Sequence, residues 1–280
     1  PNIHFVAIIY ALLAIGAVPV FIDPGMNLKS MLKCIEKVQP HAMIGITAAC
    51  LIRYLCPSSF NSVKYTIFAG NQWRLNIPTL NNIRKSSNKE LPIYAAQEDD
   101  LAVIAFTSGS TGIPKGVVYT HKNFYVMLEL LQQELGIKRG NIDLPGLYIF
   151  ALLNPPLGVT TVMPEMDISK PAELDPRKYI LTIETLGVTT SFGSPTIWNK
   201  VSDYCLEQKI QLSSLRSIYI AGAAVTPQLL ERLASLAPHA EIYTPYGATE
   251  GLPLTNITAK EILPYLGQRT EKGEGFCVGK

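Results

Sequence analysis

The sequence predicts an α/β fold in which mostly parallel sheets are flanked by helices. The first observation is an alternation of apolar runs with amphipathic stretches over residues 5–68, which is typical of crossover units in parallel sheets. The second is a pair of apolar runs, residues 101–106 and 117–119, that enclose a loop rich in glycine and hydroxyl groups. The third is size, because 280 residues of which 48% are hydrophobic can bury a large core.

Residues 5–22 form the first apolar run and contain no charged side chain. A run of this length lies near the lower limit for a membrane span, which needs about 17–25 residues. Gly16 and Pro19 interrupt it where a helix would have to give way to a strand. We therefore predict a buried helix over residues 5–13, a buried strand over residues 18–22 and no integral membrane span.

Four further elements precede the glycine-rich loop. Apolar residues recur at helical spacing in the first of them, and the others are short. We predict a helix over residues 26–38, a strand over 42–46, a helix over 47–54 and a strand over 63–68. Residues 71–100 are polar and irregular, so we predict a surface connection there.

The loop itself reads Thr107-Ser-Gly-Ser-Thr-Gly-Ile-Pro-Lys-Gly116. Glycine lets the backbone approach a ligand closely, successive N–H groups in such a loop suit anions, and hydroxyl groups and a lysine add donors and positive charge. This composition predicts a phosphate cradle, with a mobile surface loop as the alternative. The common P-loop is excluded because Lys115 is followed by Gly116 rather than by serine or threonine. The candidate phosphate-binding residues are Thr107, Ser108, Gly109, Ser110, Thr111, Gly112 and Lys115.

Helices and strands continue to alternate after the loop. We predict helices over residues 121–135, 176–186 and 196–205, a strand at 189–194 and a strand from residue 215 that ends in the small residues Gly222, Ala223 and Ala224. In the helix at 176–186, four side chains are expected to face inward: Tyr179, Ile180, Ile183 and Leu186. Small residues at the carboxyl end of a strand leave room for a flat ring, at the edge where open α/β sheets bind ligands.

The stretch Tyr246-Gly-Ala-Thr-Glu250 is the second candidate site. Tyr246 offers an aromatic face on which a base can stack, and Gly247 is expected to permit a tight turn. Thr249 offers a hydroxyl group to a phosphate. Glu250 offers a hard oxygen ligand to Mg²⁺, the cation that bridges nucleotide phosphates.

These two motifs, in this order, resemble the signatures of the adenylate-forming superfamily: acyl-CoA synthetases, peptide-synthetase adenylation domains and luciferases. Such enzymes make an acyl-adenylate from a carboxylate and ATP. Many acyl-CoA synthetases carry an H-x-x-G element where this chain has residues 143–158, which contain no histidine. That stretch instead resembles the β-lactone synthetases of bacterial olefin biosynthesis, and its apolar content suits a wall facing an acyl chain.

The resemblance implies a fold, a pair of cofactors and a role for each motif. The fold is the large N-terminal domain of these enzymes, layered αβαβα, here expected to be incomplete at both ends and to lack the small C-terminal domain. Residues 1–100 would form its first part and residues 101–280 the part that binds nucleotide and acyl group. With ATP or AMP and Mg²⁺ as cofactors, the loop would hold the β- and γ-phosphates, and the Gly222–Ala224 segment and Gly247 would lie near the base. Thr249 and Glu250 would be catalytic, with Glu250 also a metal ligand, and the acyl pocket would be walled by Phe192, Gly193 and Ser194.

The function implied is ATP-dependent activation of a fatty or β-hydroxy fatty acid to an acyl-adenylate, followed in the subgroup by β-lactone formation. Two alternatives stay open: an acyl-CoA ligase or peptide-synthetase-type adenylation domain, and a non-catalytic nucleotide-binding remnant. The 280 residues are expected to be inactive alone, because the family's ribose-binding aspartate, hinge and catalytic lysine would lie further along the chain.

Composition limits the partners. A net charge of +2 without a basic block does not favour nucleic-acid binding. The five cysteines form no CxxC pair, which indicates reduced thiols in a cytoplasmic protein. The expected partners are a small-molecule carboxylate, CoA under the first alternative, and the C-terminal domain of the same chain.

Overall fold

The computed structural model describes residues 3–23, 25–70, 77–86, 93–107, 114–147, 149–167 and 170–279. The chain divides into two compact units. The small unit is Ala11–His121, and the large unit is Pro1–Tyr10 together with Lys122–Lys280.

The first 121 residues contain short helices and strands in alternation. The helices are α1 (Ile3–Ala14), α2 (Leu28–Val38), α3 (Thr47–Leu55) and α4 (Leu80–Ser86), and the strands are β1 (Val20–Ile22), β2 (Ala42–Gly45), β3 (Tyr65–Phe68), β4 (Leu101–Thr107) and β5 (Lys115–Thr120). One sheet has the order β1-β4-β5, in which β1 is parallel and β5 antiparallel to β4. A second sheet pairs β2 with β3 in parallel.

The predicted elements of the first 121 residues are confirmed in position, with one correction. The predicted burial of the first apolar run is wrong, because Ile9 is the only buried residue among the described side chains of α1, and the three residues of β1 are half-buried. Gly16 adopts a left-handed conformation (φ +71°) just after α1, so the first apolar run is a helix followed by a strand. Among the described residues, no helix is both long and apolar enough to cross a membrane. The correction concerns residues 71–100, where α4 interrupts the predicted irregular connection. Its start is fixed by a local contact, because the Asn82 backbone N–H donates to Thr79 Oγ1 over 3.1 Å.

The large unit contains the remaining elements. Its helices are α5 (His121–Leu135), α6 (Ile149–Leu153), α7 (Pro176–Leu186), α8 (Pro195–Gln208), α9 (Pro227–Leu236), α10 (Ala259–Glu261) and α11 (Gly267–Glu271), with a π-helical turn, Ile262–Leu266, between the last two. Its strands are β6 (Ile142–Asp143), β7 (Thr160–Thr161), β8 (Thr190–Gly193), β9 (Ser217–Ile220), β10 (Glu241–Tyr243), β11 (Tyr246–Ala248) and β12 (Gly251–Thr255).

A five-stranded, fully parallel sheet organises the large unit, with the strand order β10-β9-β8-β6-β7. Both of its faces are covered, as is usual for parallel sheets. Ile218 and Ile220 of β9 belong to a core that also contains residues of α7, α8 and α9. Tyr219, which lies between them in sequence, belongs to a second core with residues of α5 and α6. The predicted α/β class with mostly parallel sheets is therefore confirmed.

Local sequence signals set the helix boundaries of this unit. At α7, the Asp175 side chain accepts a hydrogen bond from the Arg177 backbone N–H over 3.0 Å, Pro176 occupies the first position and Gly187 ends the helix with φ +60°. The predicted inward face of this helix is correct for three of its four side chains. The prediction for Leu186 is wrong, because this side chain, at the last position of the helix, is 50% exposed.

Candidate active site

Strands β4 and β5 precede and follow the predicted phosphate cradle in the chain. Thr107 and Lys115 are directly opposite each other in the antiparallel register. One step further in, Gly116 pairs with Phe106, and a Cβ on Gly116 would lie 3.0 Å from the Phe106 ring. A larger residue would therefore require the Phe106 ring to shift. Lys115 is exposed, so its ammonium group is accessible to an anion.

Five of the predicted phosphate-binding residues fall outside the described part of the chain. They are Ser108, Gly109, Ser110, Thr111 and Gly112. The phosphate-binding role of these five residues stays a prediction. Of the seven candidates, the structure describes Thr107, at the end of β4, and Lys115, at the start of β5.

Three other predicted groups follow adjacent strands of the large parallel sheet. Strand β8 ends at Gly193, which pairs with Ile220 at the end of β9, and Tyr219 of β9 pairs with Tyr243 at the end of β10. The carboxyl ends of parallel neighbours meet at one edge of a sheet, which is where open α/β sheets bind ligands. The predicted acyl-binding, adenine-binding and stacking residues thus lie at or just after the carboxyl ends of three adjacent strands, at the same edge of the sheet.

The predicted acyl-binding residues lie at the end of β8, with Phe192 and Gly193 in the strand and Ser194 directly after it. Phe192 is buried and stacks on Phe150, with 3.7 Å between ring centroids. A Cβ on Gly193 would lie 2.8 Å from Trp198 Nε1, so this position requires glycine for packing alone. The Ser194 hydroxyl caps α8 by accepting a hydrogen bond from the Ile197 backbone N–H over 3.4 Å. Each residue has a structural role, and acyl binding by them stays a prediction.

The connection after β9 contains the predicted adenine-binding residues Gly222, Ala223 and Ala224, all of which are exposed. Gly222 has φ +92°, a conformation that favours glycine, and a Cβ there would have no neighbour within 4 Å. The backbone is therefore open to solvent on this side. The Thr226 hydroxyl, which accepts from the Leu229 backbone N–H over 3.4 Å, then begins α9.

The connection after β10 leads into the β11–β12 hairpin. Ala248 pairs with Gly251, so Thr249 and Glu250 form the turn between the two strands. Tyr246, at the start of β11, is 52% exposed, and Glu250 is exposed as well. An aromatic face and a carboxylate are thus both available to a ligand on one hairpin.

The expectation that Gly247 permits a tight turn is wrong, while its cofactor-binding role stays a prediction. It lies inside strand β11, and the turn is made by the residues that follow. A Cβ on Gly247 would lie 2.5 Å from Leu252 Cδ1 and 2.9 Å from the Gly251 carbonyl oxygen. Glycine is therefore needed because the opposite strand approaches closely, which sequence spacing alone does not reveal.

The donor set for a metal is small. Among the described residues, no group of three histidine, cysteine or acidic side chains is arranged to hold a metal ion. A nucleotide-associated Mg²⁺ does not need such a group, because it is commonly bound by one or two carboxylates, with phosphates and waters as the other ligands. The single exposed carboxylate of Glu250 at the turn fits that pattern.

Sequence reasoning assigned no role to Asp143, which lies one strand further along the same sheet. Asp143 accepts hydrogen bonds from Asn154 Nδ2 (2.8 Å) and from Thr190 Oγ1 (3.1 Å), and Asn154 Nδ2 also donates to Thr161 Oγ1 (2.9 Å). Burial raises the pKa of the Asp143 carboxyl to about 6, against the opposing effect of these hydrogen bonds. A lone aspartate in an apolar stretch carries no sequence signal for this network.

Comparisons with known proteins show the family of this chain. A family model described as AMP-binding enzyme matches residues 1–274. Olefin beta-lactone synthetases of Xanthomonas campestris and Stenotrophomonas maltophilia are each 37% identical over 281 aligned positions, which cover 100% of this chain and 50% of each relative. The chain thus spans about half the length of these two relatives.

A solved structure gives the same fold. The long-chain-fatty-acid-CoA ligase FadD1 from Archaeoglobus fulgidus superposes with a TM-score of 0.79 at 22% identity, covering 99% of this chain and 55% of that one. At this identity, the likeness speaks for the fold alone. Because the family model covers nearly the whole sequence, this chain belongs to the AMP-binding enzyme family.

Proposed function

We propose that this chain forms the nucleotide- and acyl-binding part of an enzyme that activates a carboxylic acid with ATP, releasing pyrophosphate and forming an acyl-adenylate. The observation that carries the proposal is the shared sheet edge. Three adjacent strands, β8, β9 and β10, lead at their carboxyl ends to a candidate acyl wall, an open glycine-containing segment and the hairpin that contains Tyr246–Glu250. An acyl-adenylate needs an acyl site beside a nucleotide site, and candidate residues for both at the ends of adjacent parallel strands support this proposal.

For the substrate, we propose a fatty or β-hydroxy fatty acid, with β-lactone formation as the subsequent step. Support comes from 37% identity over the full chain to two relatives named olefin beta-lactone synthetase. The alternative within the family is transfer of the acyl group to CoA or to a carrier. The alternative from another class is nucleotide binding without catalysis.

The chemistry is a substitution at phosphorus. A carboxylate oxygen attacks the α-phosphorus of ATP, the bond to the bridging oxygen of the β-phosphate breaks, and pyrophosphate leaves with that electron pair. Most of the catalytic effect in such transfers comes from positioning and charge stabilisation. We assign Lys115 and the flanking loop to the β- and γ-phosphates, the Tyr246 ring to the base and the Thr249 hydroxyl to the α-phosphate.

Glu250 would hold the Mg²⁺ that accompanies the nucleotide. When bound, this cation neutralises charge on the phosphate oxygens. The position of Glu250 at a two-residue turn exposes its carboxylate, and the paired strands on either side restrict its movement.

The direct test is ATP–pyrophosphate exchange by the intact protein with fatty and β-hydroxy fatty acids, followed by product analysis with and without CoA. A β-lactone formed without CoA supports the substrate proposal, and a CoA thioester would replace it with the first alternative. Nucleotide binding without exchange for any acid would favour the non-catalytic alternative.

Glu250→Ala tests the assigned role within that assay. Loss of one preorganised interaction commonly costs about 10²–10³ in rate, and we expect a fall of that size in the exchange rate. The matched control is Glu231→Ala, which removes an exposed carboxylate from α9 of the same unit and should leave the exchange rate unchanged. An exchange rate within a few-fold of wild type for Glu250→Ala contradicts the role given to this residue.

A further inference from the structure

The C-terminus of α5 is held by two side chains from distant parts of the chain. The last four carbonyl groups of a helix have no partner within it and must find one elsewhere. The Asn256 side-chain amide donates from Nδ2 to the Glu134 carbonyl oxygen over 3.1 Å, and the Tyr219 hydroxyl donates to the Leu135 carbonyl oxygen over 2.9 Å. Tyr219 comes from strand β9 of the parallel sheet, whereas Asn256 is the first residue after the β11–β12 hairpin.

Asn256 lies at the base of that hairpin. It is the first residue after β12, and its neighbour Thr255 pairs with Tyr246, the first residue of β11. Two further hydrogen bonds stabilise the base of the hairpin. The Thr255 hydroxyl donates to the Val278 carbonyl oxygen, and the Thr244 backbone N–H donates to the Ile257 carbonyl oxygen over 2.8 Å. The Asn256 amide adds the contact with α5.

The Oδ1 atom of Asn256 indicates that the contact with Glu134 determines how the side-chain amide is oriented. Its Oδ1 atom is buried and has no hydrogen-bond partner among the described residues. An unpaired buried oxygen is unfavourable, so the orientation is maintained by the bond from Nδ2. The carbonyl end of a helix also carries negative partial charge, which favours a donor and disfavours a carboxylate at this position.

We propose that Asn256 is a positioning residue for acyl-adenylate formation: it fastens the base of the β11–β12 hairpin to the end of α5, so that Thr249 and Glu250 are presented to the nucleotide in one geometry. This inference rests on the function proposed above. Helix α5, which Asn256 contacts, follows β5 directly in the chain, and β5 follows the predicted phosphate-binding loop.

The test compares Asn256→Ala and Asn256→Asp with wild type, and uses Tyr219→Phe as the matched control. Tyr219→Phe removes the other side-chain donor at the same helix end but leaves the hairpin untouched. Amide hydrogen exchange over residues 246–255, without nucleotide, should become about 3- to 10-fold faster in Asn256→Ala, as expected for loss of one hydrogen bond. It should become faster still in Asn256→Asp, and it should be unchanged in Tyr219→Phe.

Kinetics of ATP–pyrophosphate exchange then separate positioning from simple loss of structure. In Asn256→Ala we expect kcat to fall about 10-fold while KM for ATP changes less than 3-fold, since nucleotide-binding groups remain but their alignment is lost. Tyr219→Phe should keep both values near wild type.

Two results would overturn the proposal: unchanged hairpin exchange in both Asn256 variants, or equal effects of Asn256→Ala and Tyr219→Phe. If wild-type protein catalyses no pyrophosphate exchange, the proposed function fails, and with it the positioning role. The hydrogen-exchange comparison distinguishes the two failures, because it detects the hairpin anchor whether or not the protein is an adenylating enzyme.

Discussion

Replacement of the buried carboxyl group of Asp143 should change how the stability of the protein depends on pH. The side chain is 5% exposed and touches only neutral donors in the described contacts, Asn154 Nδ2 at 2.8 Å and Thr190 Oγ1 at 3.1 Å. Burial raises its pKa to about 6 in the folded protein. In the unfolded chain, an aspartate titrates near its ordinary value of about 3.9.

The sign of the effect follows from these two values. Between pH about 4 and about 6 the folded protein holds more protons on this group than the unfolded chain does, so stability falls as pH rises. The stabilising contribution is fully present below the unfolded pKa and is lost as pH rises through the folded pKa. With about 1.4 kcal/mol for each unit of difference, a separation of about 2 units corresponds to about 3 kcal/mol.

Asp143→Asn keeps the shape of the side chain and removes the titration. Relative to wild type, we expect the variant to gain about 2.5 kcal/mol in unfolding free energy between pH 4 and pH 7.5, because the rest of the difference develops below pH 4. Urea unfolding followed by circular dichroism at half-unit pH steps measures this difference.

Asp175→Asn is the control, because the pKa of Asp175 is shifted in the opposite direction. Hydrogen bonding to Arg177 lowers the pKa of Asp175, so its contribution is present at neutral pH and lost as pH falls. Parallel pH profiles for wild type and Asp143→Asn would refute the reasoning, because they would mean that the carboxyl titrates alike in the folded and unfolded chain.

Two further substitutions test packing and capping near the site. Gly247→Ala should destabilise the protein by about 1–3 kcal/mol, because its Cβ would meet the Gly251 carbonyl oxygen at 2.9 Å and backbone must move. Gly251→Ala, whose Cβ would meet the end of the Leu254 side chain at 3.2 Å, should cost less, and equal unfolding midpoints for the two variants would contradict this account. Thr226→Ala should cost about 1 kcal/mol by removing the cap of α9, while Thr226→Ser should stay near wild type. Thermal unfolding measures the stability of both Thr226 variants, and an equal loss of stability in the two would show that the hydroxyl cap does not account for the effect.

Element boundaries were predictable wherever local chemistry sets them. Helix α7 begins at Pro176 and ends at Leu186 as predicted, because Asp175, Pro176 and Gly187 are start and stop signals within the sequence itself. Helix α4 was missed because it has only seven residues, and its two apolar residues, Leu80 and Ile83, are too few to distinguish a helix from a polar connection. Leu186 was misassigned because periodicity gives the direction of a side chain but not whether anything packs against it at a helix end.

The sequence by itself determined the α/β class, the order of the elements and the two motifs that indicate a nucleotide site, since these follow from periodicity, turn residues and the chemistry of short stretches. Only the tertiary structure decided which strands are neighbours, and the order β10-β9-β8-β6-β7 is what brings residues 192–194, 222–224 and 246 to one edge. It also decided that Gly247 serves close packing, that Asp143 is buried, and that Asn256 reaches Glu134 across the fold. These features depend on contacts between residues far apart in the chain, which local patterns do not encode.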